Sequence, residues 1–237
     1  MADKKNVVWI TGTSSGIGKA LAIEFAKNNI FVIGTARRLE LLFKLKKDLG
    51  EHENNFEPHQ LDITDYSAID QFHKKVLSNY RVDCLINNAG ITSFKKAIDD
   101  SIEDIENILR VNLFGGIYAI KTVLPDMLEK QSGTIINILS MVTKKVFTSS
   151  SAYTASKSGL MGYTKVLREE VRDKNIRIIN VSPGATSTEI WSKEIRNKHN
   201  DSMMNSDDIA RIVFKINSEK SNMVVEDIIL RPVKGDL

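Results

Sequence analysis

The stretch that decides the fold reads Val7-Val8-Trp9-Ile10-Thr11-Gly12-Thr13-Ser14-Ser15-Gly16-Ile17-Gly18. Its β-branched first part, residues 7–11, predicts a buried strand, and residues 17–28 have the pattern of a helix. Three glycines spaced G-x-x-x-G-x-G lie between these elements, where they permit a tight turn and let a pyrophosphate approach the backbone. A plain helix-entry loop is the alternative, and the strand–turn–helix setting favours a dinucleotide site. The candidate residues of that site are Gly12, Ser14, Ser15, Gly16, Ile17 and Gly18.

The rest of the chain continues this alternation of short apolar runs with longer amphipathic ones. Strands are predicted at 7–11, 30–35, 55–61, 82–87, 134–140, 177–181 and 226–230, and helices near 17–28, 39–49, 66–79, 102–130, 153–174 and 207–217. The alternation predicts a three-layer α/β fold, in which helices cover both faces of a doubly wound parallel sheet. Because no linker or repeat divides the chain, residues 1–237 are expected to form a single domain that binds ligands beyond the carboxyl ends of its strands.

Composition and charge exclude several classes of protein. The 237 residues carry a net charge of +3, and the basic pairs at 46–47, 95–96 and 144–145 are scattered, so no nucleic-acid partner is expected. The single cysteine, Cys84, leaves no intrachain disulfide and is interpreted as a buried structural thiol. The four histidines show no metal-ligand spacing, so no metal is expected. No apolar signal segment is visible and no stretch approaches the ~20 apolar residues of a membrane span, which favours a cytoplasmic location.

The end of the second predicted strand bears on the choice of dinucleotide. An acidic residue there hydrogen-bonds the adenosine ribose of NAD, whereas an arginine accommodates the 2′-phosphate of NADP. The sequence at this point is Gly34-Thr35-Ala36-Arg37-Arg38, with no carboxylate. Arg37 offers planar, charge-assisted hydrogen bonds, and Ser14 and Arg38 are placed to assist, so NADP is favoured over NAD. The alternative is a pair of solvent-facing arginines at the start of a helix.

The segment Tyr153-Thr154-Ala155-Ser156-Lys157 is the most specific candidate for chemistry. At the start of a helix, Tyr153 and Lys157 form an i, i+4 pair on one face. A neighbouring ammonium is expected to lower the pKa of the phenol from its usual value near 10, which would let Tyr153 exchange a proton with a carbonyl oxygen. The spacing alone proves little, because tyrosine and lysine are common on helix surfaces.

Two further polar residues strengthen this interpretation. Ser140 closes the fifth predicted strand, where its hydroxyl could hold a substrate oxygen against Tyr153, although a turn-forming serine is the alternative. Asn112 lies within an apolar helical stretch, and a buried amide there needs partners. It either anchors a water leading to Lys157 or is satisfied by a backbone hydrogen bond.

The chain resembles the short-chain dehydrogenase/reductase family in the order of its motifs, which are 11–18, Asn87-Asn88-Ala89-Gly90, Asn112, Ser140, Tyr153-x-x-x-Lys157 and Pro183-Gly184. The resemblance covers essentially the whole chain. It implies a seven-stranded Rossmann-like sheet and an NADP(H)-dependent oxidoreductase that transfers the pro-S hydride between nicotinamide and a carbonyl or secondary alcohol substrate. It also implies a catalytic tetrad of Asn112, Ser140, Tyr153 and Lys157, with Lys157 additionally holding the nicotinamide ribose.

The same resemblance assigns further contacts to the cofactor. It implies contacts to adenine from Asp62 and Ile63, to the adenosine ribose from Asn88, Ala89 and Gly90, and to the nicotinamide from Pro183, Gly184 and Thr188. Without the resemblance, Asp62 is interpreted as a turn cap and Pro183-Gly184 as chain punctuation. Two features depart from the family: Leu139 replaces a serine that often precedes the catalytic one, and residues 231–237 lack the glycine-rich ending of the ketoacyl reductases.

Substrate specificity is expected in two loops beyond the strand ends, at 141–151 and about 185–205. Their mixed apolar set predicts a small or medium-sized carbonyl substrate without an anionic handle: Met141, Phe147, Trp191, His199, Met203 and Met204. Two other classes stay open, namely a regulator that senses NADP(H) without chemistry and a sugar-nucleotide epimerase or dehydratase. The complete tetrad argues against the first, and the short chain argues against the second. Self-association as a homodimer or homotetramer, through the helices at 102–130 and 153–174, is expected from the resemblance.

Overall fold

The computed structural model describes residues 4–219 and 223–235. Within them, seven parallel strands form one sheet in the order β3-β2-β1-β4-β5-β6-β7. The strands are β1 (Asn6–Thr11), β2 (Val32–Ala36), β3 (Phe56–Gln60), β4 (Arg81–Asn87), β5 (Gly133–Ile138), β6 (Ile176–Pro183) and β7 (Asp227–Leu230). The strand order reverses between β1 and β4, so the predicted doubly wound α/β fold is confirmed. The predicted domain 1–237 and the carboxyl end 231–237 lie partly outside the described residues.

Helices connect the strands on both faces of the sheet. They are α1 (Gly16–Lys27), α2 (Leu39–Asp48), α3 (Tyr66–Lys75), α4 (Ile102–Leu109), α5 (Gly115–Lys130), α6 (Ser151–Val171), α7 (Lys193–His199) and α8 (Ser206–Ser218). The helix predicted at 102–130 is interrupted by a π-helical turn, Arg110–Phe114. This turn was not predicted, because an i→i+5 turn leaves the apolar periodicity of the sequence nearly unchanged. The short helix α7 was not predicted and lies inside the loop expected at 185–205.

The core consists of two apolar clusters, one on each face of the sheet. Alternate side chains of β1 divide between them, with Val8 and Ile10 in one cluster and Val7 and Trp9 in the other. The first cluster is completed by helices α1, α2 and α8, and the second by α3, α5 and α6. Cys84 is 1% exposed in the first cluster, and burial raises the pKa of its thiol, as expected for a structural cysteine.

One helical stretch, Ile102–Lys130, is long and apolar enough to cross a membrane by length and composition, with a mean hydropathy of 1.2. No such stretch was expected from the sequence, and this helical stretch is a candidate by length and composition alone. Its apolar composition has a different cause in the fold, because Ala119, Ile120 and Val123 are buried in the core cluster on their face of the sheet. The stretch is thus a core helix pair of the α/β sandwich.

A row of side-chain amides, here called the amide row, crosses the second half of the sheet. Asn87, Asn137, Asn180 and Asp227 are successive register partners on β4, β5, β6 and β7. Asn87 donates to the Oδ1 atom of Asn137 at 3.0 Å, and Asn137 donates to the Oδ1 atom of Asn180 at 3.1 Å. Asn180 in turn donates to the carboxylate of Asp227 at 3.3 Å. The buried amides of Asn137 and Asn180 therefore find their partners sideways along the sheet, whereas the Oδ1 atom of Asn87 has no partner among the described residues.

Candidate active site

A cleft of about 1030 Å³ opens beyond the carboxyl ends of the strands. Every predicted cofactor residue lines it, as do three members of the predicted tetrad: Ser140, Tyr153 and Lys157. Asn112 is the exception, since it is 1% exposed and does not line the cleft. The topology explains this convergence, because parallel strands deliver the loops that follow them to the same edge of the sheet.

The glycine turn has a backbone shape that side chains would not tolerate. Gly12 and Gly16 have φ angles of +74° and +53°, and a Cβ on Gly12 would lie 2.8 Å from the Cα of Ala89. A Cβ on Gly18 would overlap the carbonyl oxygen of Gly12. The N-cap Ser15 makes no side-chain hydrogen bond to the first turn of α1, so the helical N–H groups remain available to an anion. The turn therefore fits a dinucleotide pyrophosphate.

Asn88 fastens the glycine turn to the end of β4. Its Nδ2 atom donates to the carbonyl oxygens of Thr11 and Gly12 at 3.0 and 3.1 Å. The hydroxyl of Thr11 accepts from the backbone N–H groups of Asn88 and Ala89, both at 3.1 Å. The side chain of Asn88 thus shapes the turn, while the backbone at 88–90 lines the cleft.

The two arginines after β2 differ in their surroundings. Arg38 donates from Nη2 to the hydroxyl of Ser14 at 3.0 Å and lies 3.5 Å from that of Ser15. In the part of the chain that the structure describes, no hydrogen bond or ion pair engages the guanidinium of Arg37, which lines the cleft and is exposed. Arg37 is therefore the guanidinium available to a ligand, and Arg38 braces the glycine turn.

Asp62 lines the cleft beside Ile63 and also shapes its own loop. Its Oδ1 atom accepts hydrogen bonds from the backbone N–H and the hydroxyl of Thr64, at 2.9 and 2.8 Å. This is the turn-capping role that the residue has without the family resemblance. The turn leaves Asp62 at the cleft wall.

Helix α6 carries Tyr153 and Lys157 into the cleft, and Ser140 faces them from the end of β5. The hydroxyl of Ser140 lies near enough to the phenol of Tyr153 to lower its pKa, and it accepts a hydrogen bond from the N–H of Val142 at 3.3 Å. The Nζ atom of Lys157 donates to the carbonyl oxygen of Ile138 at 2.8 Å and lies 5.9 Å from the Tyr153 ring centroid. The three residues thus meet at one point of the cleft.

Burial sets the protonation of this pair. It raises the pKa of Tyr153 to about 12, outweighing the hydrogen bond from Ser140, which lowers it. Burial also lowers the pKa of Lys157 to about 8. The prediction from the sequence, that the pKa of Tyr153 is lowered, is therefore wrong. It rested on an ammonium of Lys157 lying against the phenol. In the structure Lys157 instead contacts a backbone carbonyl, and desolvation dominates both groups.

Asn112 lies in the π-helical turn and joins it to the loop after β4. Its Oδ1 atom accepts from the N–H of Ile91 at 2.8 Å, and its Nδ2 atom donates to the carbonyl of Ile91 at 2.8 Å and to the hydroxyl of Ser156 at 3.0 Å. These bonds supply the backbone partners of the alternative interpretation. A Cβ on Gly90 would lie 3.3 Å from Asn112 Oδ1 and 3.4 Å from Lys157 Nζ, so the amide and the amine flank that glycine. The role of Ser156 as a partner of Asn112 was not predicted from the sequence.

The residues predicted to determine substrate specificity line the cleft only in part. Met141, Phe147, Trp191 and His199 line it, as do Pro183, Gly184 and Thr188. Met203 and Met204 do not, because Met204 pairs with Thr186 in a β-bridge and packs against the core. Sequence reasoning missed Phe94, which lines the cleft and stacks on Trp191 with ring centroids 4.6 Å apart. Its position four residues after Gly90, beyond a strand end, was the available signal.

Comparison with known proteins agrees with this geometry. Residues 6–199 match the family model described as short chain dehydrogenase. The chain belongs to the short-chain dehydrogenase family. The resemblance inferred from the motifs is thereby confirmed, and the protein is an oxidoreductase of the dehydrogenase/reductase type.

Some relatives of this short-chain dehydrogenase match it along nearly their whole length. The sepiapterin reductase of Chlorobaculum tepidum is 32% identical, covering 98% of this chain and 98% of the relative. The NADP-dependent 3-hydroxy acid dehydrogenase of Schizosaccharomyces pombe is 31% identical, covering 97% and 93%. The closed form of serine dehydrogenase complexed with NADP+ superposes with a TM-score of 0.90 at 26% identity, covering 98% of this chain and 96% of that structure. The relatives thus share the architecture and differ in the substrate each is named for.

Proposed function

We propose that this short-chain dehydrogenase is an NADP(H)-dependent oxidoreductase acting on a carbonyl or secondary alcohol, with Tyr153 as general acid and base. The observation that carries the proposal is the meeting of Ser140, Tyr153 and Lys157 in a cleft whose other end is a glycine turn open to a pyrophosphate. A dinucleotide bound along this cleft would bring its reactive ring to the polar cluster.

The residues present fit the cofactor along the whole cleft. The turn from Gly12 to Gly18 would hold the pyrophosphate, Asp62 and Ile63 would contact the adenine, and the backbone at 88–90 would line the adenosine ribose. Pro183, Gly184 and Thr188 would hold the nicotinamide end, and Lys157 its ribose. When bound, NADPH supplies the hydride that reduces the carbonyl carbon.

The chain's own residues then handle the substrate oxygen and the proton. Ser140 donates a hydrogen bond to that oxygen and fixes it beside Tyr153. Tyr153, which burial keeps protonated, donates its proton to the oxygen during reduction and accepts it back during oxidation. Lys157 stabilises the phenolate that this leaves, and Asn112 holds the π-helical turn against Ile91 behind them.

NADP is the cofactor that the adenosine end favours over NAD. The guanidinium of Arg37 is exposed beside the cleft, where the 2′-phosphate of NADP would give it charge-assisted hydrogen bonds. The named relatives support the choice, since one is NADP-dependent and another was crystallised with NADP+.

The test compares native protein with the Tyr153→Phe variant on a panel of ketones and aldehydes, with NADPH and with NADH. Turnover that prefers NADPH and falls by at least ~100-fold in the variant is expected, because general acid–base catalysis contributes about 10²–10⁴-fold. Tight NADPH binding with no turnover across a broad panel would instead support the second candidate, a sensor of NADP(H).

Domain organisation, assembly and location belong to the same proposal. Residues 1–237 form one NADP(H)-binding domain in which 185–205 is the substrate loop. Exposed apolar side chains on the helices at 102–130 and 153–174, such as Phe114 and Val166, favour a homodimer or homotetramer. Sedimentation velocity measures the assembly, and cell fractionation measures the cytoplasmic location expected from the sequence.

A further inference from the structure

Two aromatic rings join the loops that flank the catalytic strand. Phe94 follows β4 and Trp191 follows β6, whereas Ser140 follows β5, which lies between them in the sheet. The two rings stack with centroids 4.6 Å apart and planes 11° apart. Both rings line the same cleft as Ser140 and Tyr153, so the stack forms part of the wall of the substrate end.

The loop of Phe94 is anchored on both sides of that residue. Ser93 donates to the carboxylate of Asp100 at 2.8 Å, and Lys95 donates to that of Asp104 at 2.6 Å. Asp100 is 9% exposed, whereas Phe94 is 46% exposed. An aromatic ring held at the cleft wall with so much of its surface uncovered is not explained by core packing.

The charges around the stack disfavour an anionic substrate. The lysines and arginines lining the cleft, among the described residues, are Arg37 and Arg38 at the adenosine end and Lys157 at the catalytic centre. The carboxylate of Glu189 lies at the glycine turn, with its Oε2 atom 3.6 Å from the Cβ position of Gly16. Apart from His199, the other lining side chains of the loops around the stack are apolar or carry hydroxyls: Ile91, Thr92, Met141, Val142, Phe147, Thr148, Ile190 and Ile195. A carboxylate or phosphate bound beside the stack would find no lysine or arginine among these lining residues to neutralise it.

We propose that Phe94 and Trp191 form an aromatic wall that selects neutral carbonyl compounds carrying a planar aromatic or conjugated ring. The inference rests on the proposed function and names its substrate class. Such a ring packs against the pair by offset or edge-to-face contact, and it carries no charge that the cleft would have to neutralise. A saturated ring of similar size gains only the burial of its surface.

The experiment uses phenyl methyl ketone and cyclohexyl methyl ketone, which share the reacting group and differ in ring planarity. Turnover with NADPH is compared for native protein, Phe94→Leu, Trp191→Leu and the double variant. Phe43→Leu is the matched control, because Phe43 is also about half exposed (51%) but does not line the cleft. The double variant is expected to lose about tenfold in kcat/KM for the phenyl ketone and less than about twofold for the cyclohexyl ketone, from the loss of aromatic contacts. The single variant Trp191→Phe, which keeps an aromatic ring at this position, is expected to retain most of the native kcat/KM for the phenyl ketone.

Binding to the NADP+ complex, which does not reduce a ketone, separates this inference from the proposed function. Titration calorimetry should give tighter binding of the phenyl ketone to native protein and equal binding of both ketones to the double variant. An equal loss for both ketones, or preference for a carboxylate-bearing ketone, overturns the aromatic wall while leaving the oxidoreductase reading intact. Binding selectivity without any turnover overturns the proposed function and leaves the aromatic wall standing.

Discussion

Asn137 and Asn180 face each other across β5 and β6 as register partners, and the Nδ2 atom of Asn137 donates to the Oδ1 atom of Asn180 at 3.1 Å. Asn137 is fully buried and has Asn87 as its other partner. A shift of one strand by one residue would separate these amides and leave them unpaired in the core. The amide row therefore fixes the register of the strands whose ends carry the active site.

The first prediction concerns the stability that Asn137 provides. Asn137→Ala removes two buried side-chain hydrogen bonds, and the free energy of unfolding should fall by about 2–3 kcal/mol. Asn180 keeps a bond from Thr164 and Asn87 keeps one to the carbonyl of Gly116, which limits the loss. Urea unfolding measures the change, with Asn107→Ala on the exposed surface of α4 as the control. Equal stabilities of the two variants would show that the amide row contributes nothing.

The second prediction concerns the glycine turn. In Gly18→Ala the new methyl group would overlap the Gly12 carbonyl oxygen, so the turn must open, and NADPH affinity should fall by more than ~10-fold as the N–H groups lose their geometry. Gly162→Ala is the matched control, because a Cβ there meets nothing within 4 Å in the middle of α6. This control should gain about 0.5–1 kcal/mol of stability and bind NADPH normally. Fluorescence titration and thermal unfolding provide both readouts.

Much of the fold followed from the sequence because its signals are local. The β-branched runs identified all strands of the sheet to within about two residues, the usual precision of element ends. The π-helical turn at 110–114 and the helix α7 escaped, since the first leaves the apolar period nearly intact and the second has no buried residue to create a period. Elements whose shape depends on tertiary contacts cannot be predicted from the apolar periodicity of the sequence.

The site was predictable where chemistry depends on residue type, and less so where it depends on contacts. The order of the motifs predicted that Ser140, Tyr153 and Lys157 lie in one site, and all three line the same cleft. It did not reveal that Lys157 contacts the carbonyl of Ile138 and not the phenol, or that burial decides the direction of both pKa shifts. The stack between Phe94 and Trp191 was also missed, because residues 97 positions apart share no local signal.

The third prediction separates the roles of the two arginines. Arg37→Ala should weaken NADPH binding by about 10–100-fold and leave NADH binding unchanged, because only the 2′-phosphate needs that guanidinium. Arg38→Ala breaks the bonds to Ser14 and Ser15 and should weaken both cofactors to a similar extent. The ratio of the two dissociation constants in each variant is the measurement. An unchanged ratio in Arg37→Ala would assign the 2′-phosphate to another residue.

The last prediction follows from the buried amine of Lys157. Its pKa is about 8 in the folded protein and near 10.5 when unfolded, so the unfolded chain binds more protons between these values. The contribution of Lys157 to stability should therefore rise as pH increases from about 8 towards 10, because the folded protein no longer has to bury an ammonium. Tyr153 acts in the opposite direction at higher pH. Above about pH 10 the unfolded phenol ionises, whereas the folded phenol, with its pKa raised to about 12, keeps its proton, so its contribution to stability falls as the pH rises.

Urea unfolding between pH 7 and 10 tests the effect of Lys157, with Lys157→Met as the variant and Lys165→Met as the control on an exposed position of the same helix. Relative to Lys157→Met, native protein and the Lys165 variant should both gain stability across this window by an amount on the order of a few kcal/mol. The buried thiol of Cys84, whose pKa burial raises, lowers the stability of all three proteins alike as the pH rises. The Lys157 variant should lack that gain, because it has no amine to deprotonate. The same pH slope in all three proteins would mean that Lys157 keeps its proton when folded, and that its bond to Ile138 offsets the cost of burial.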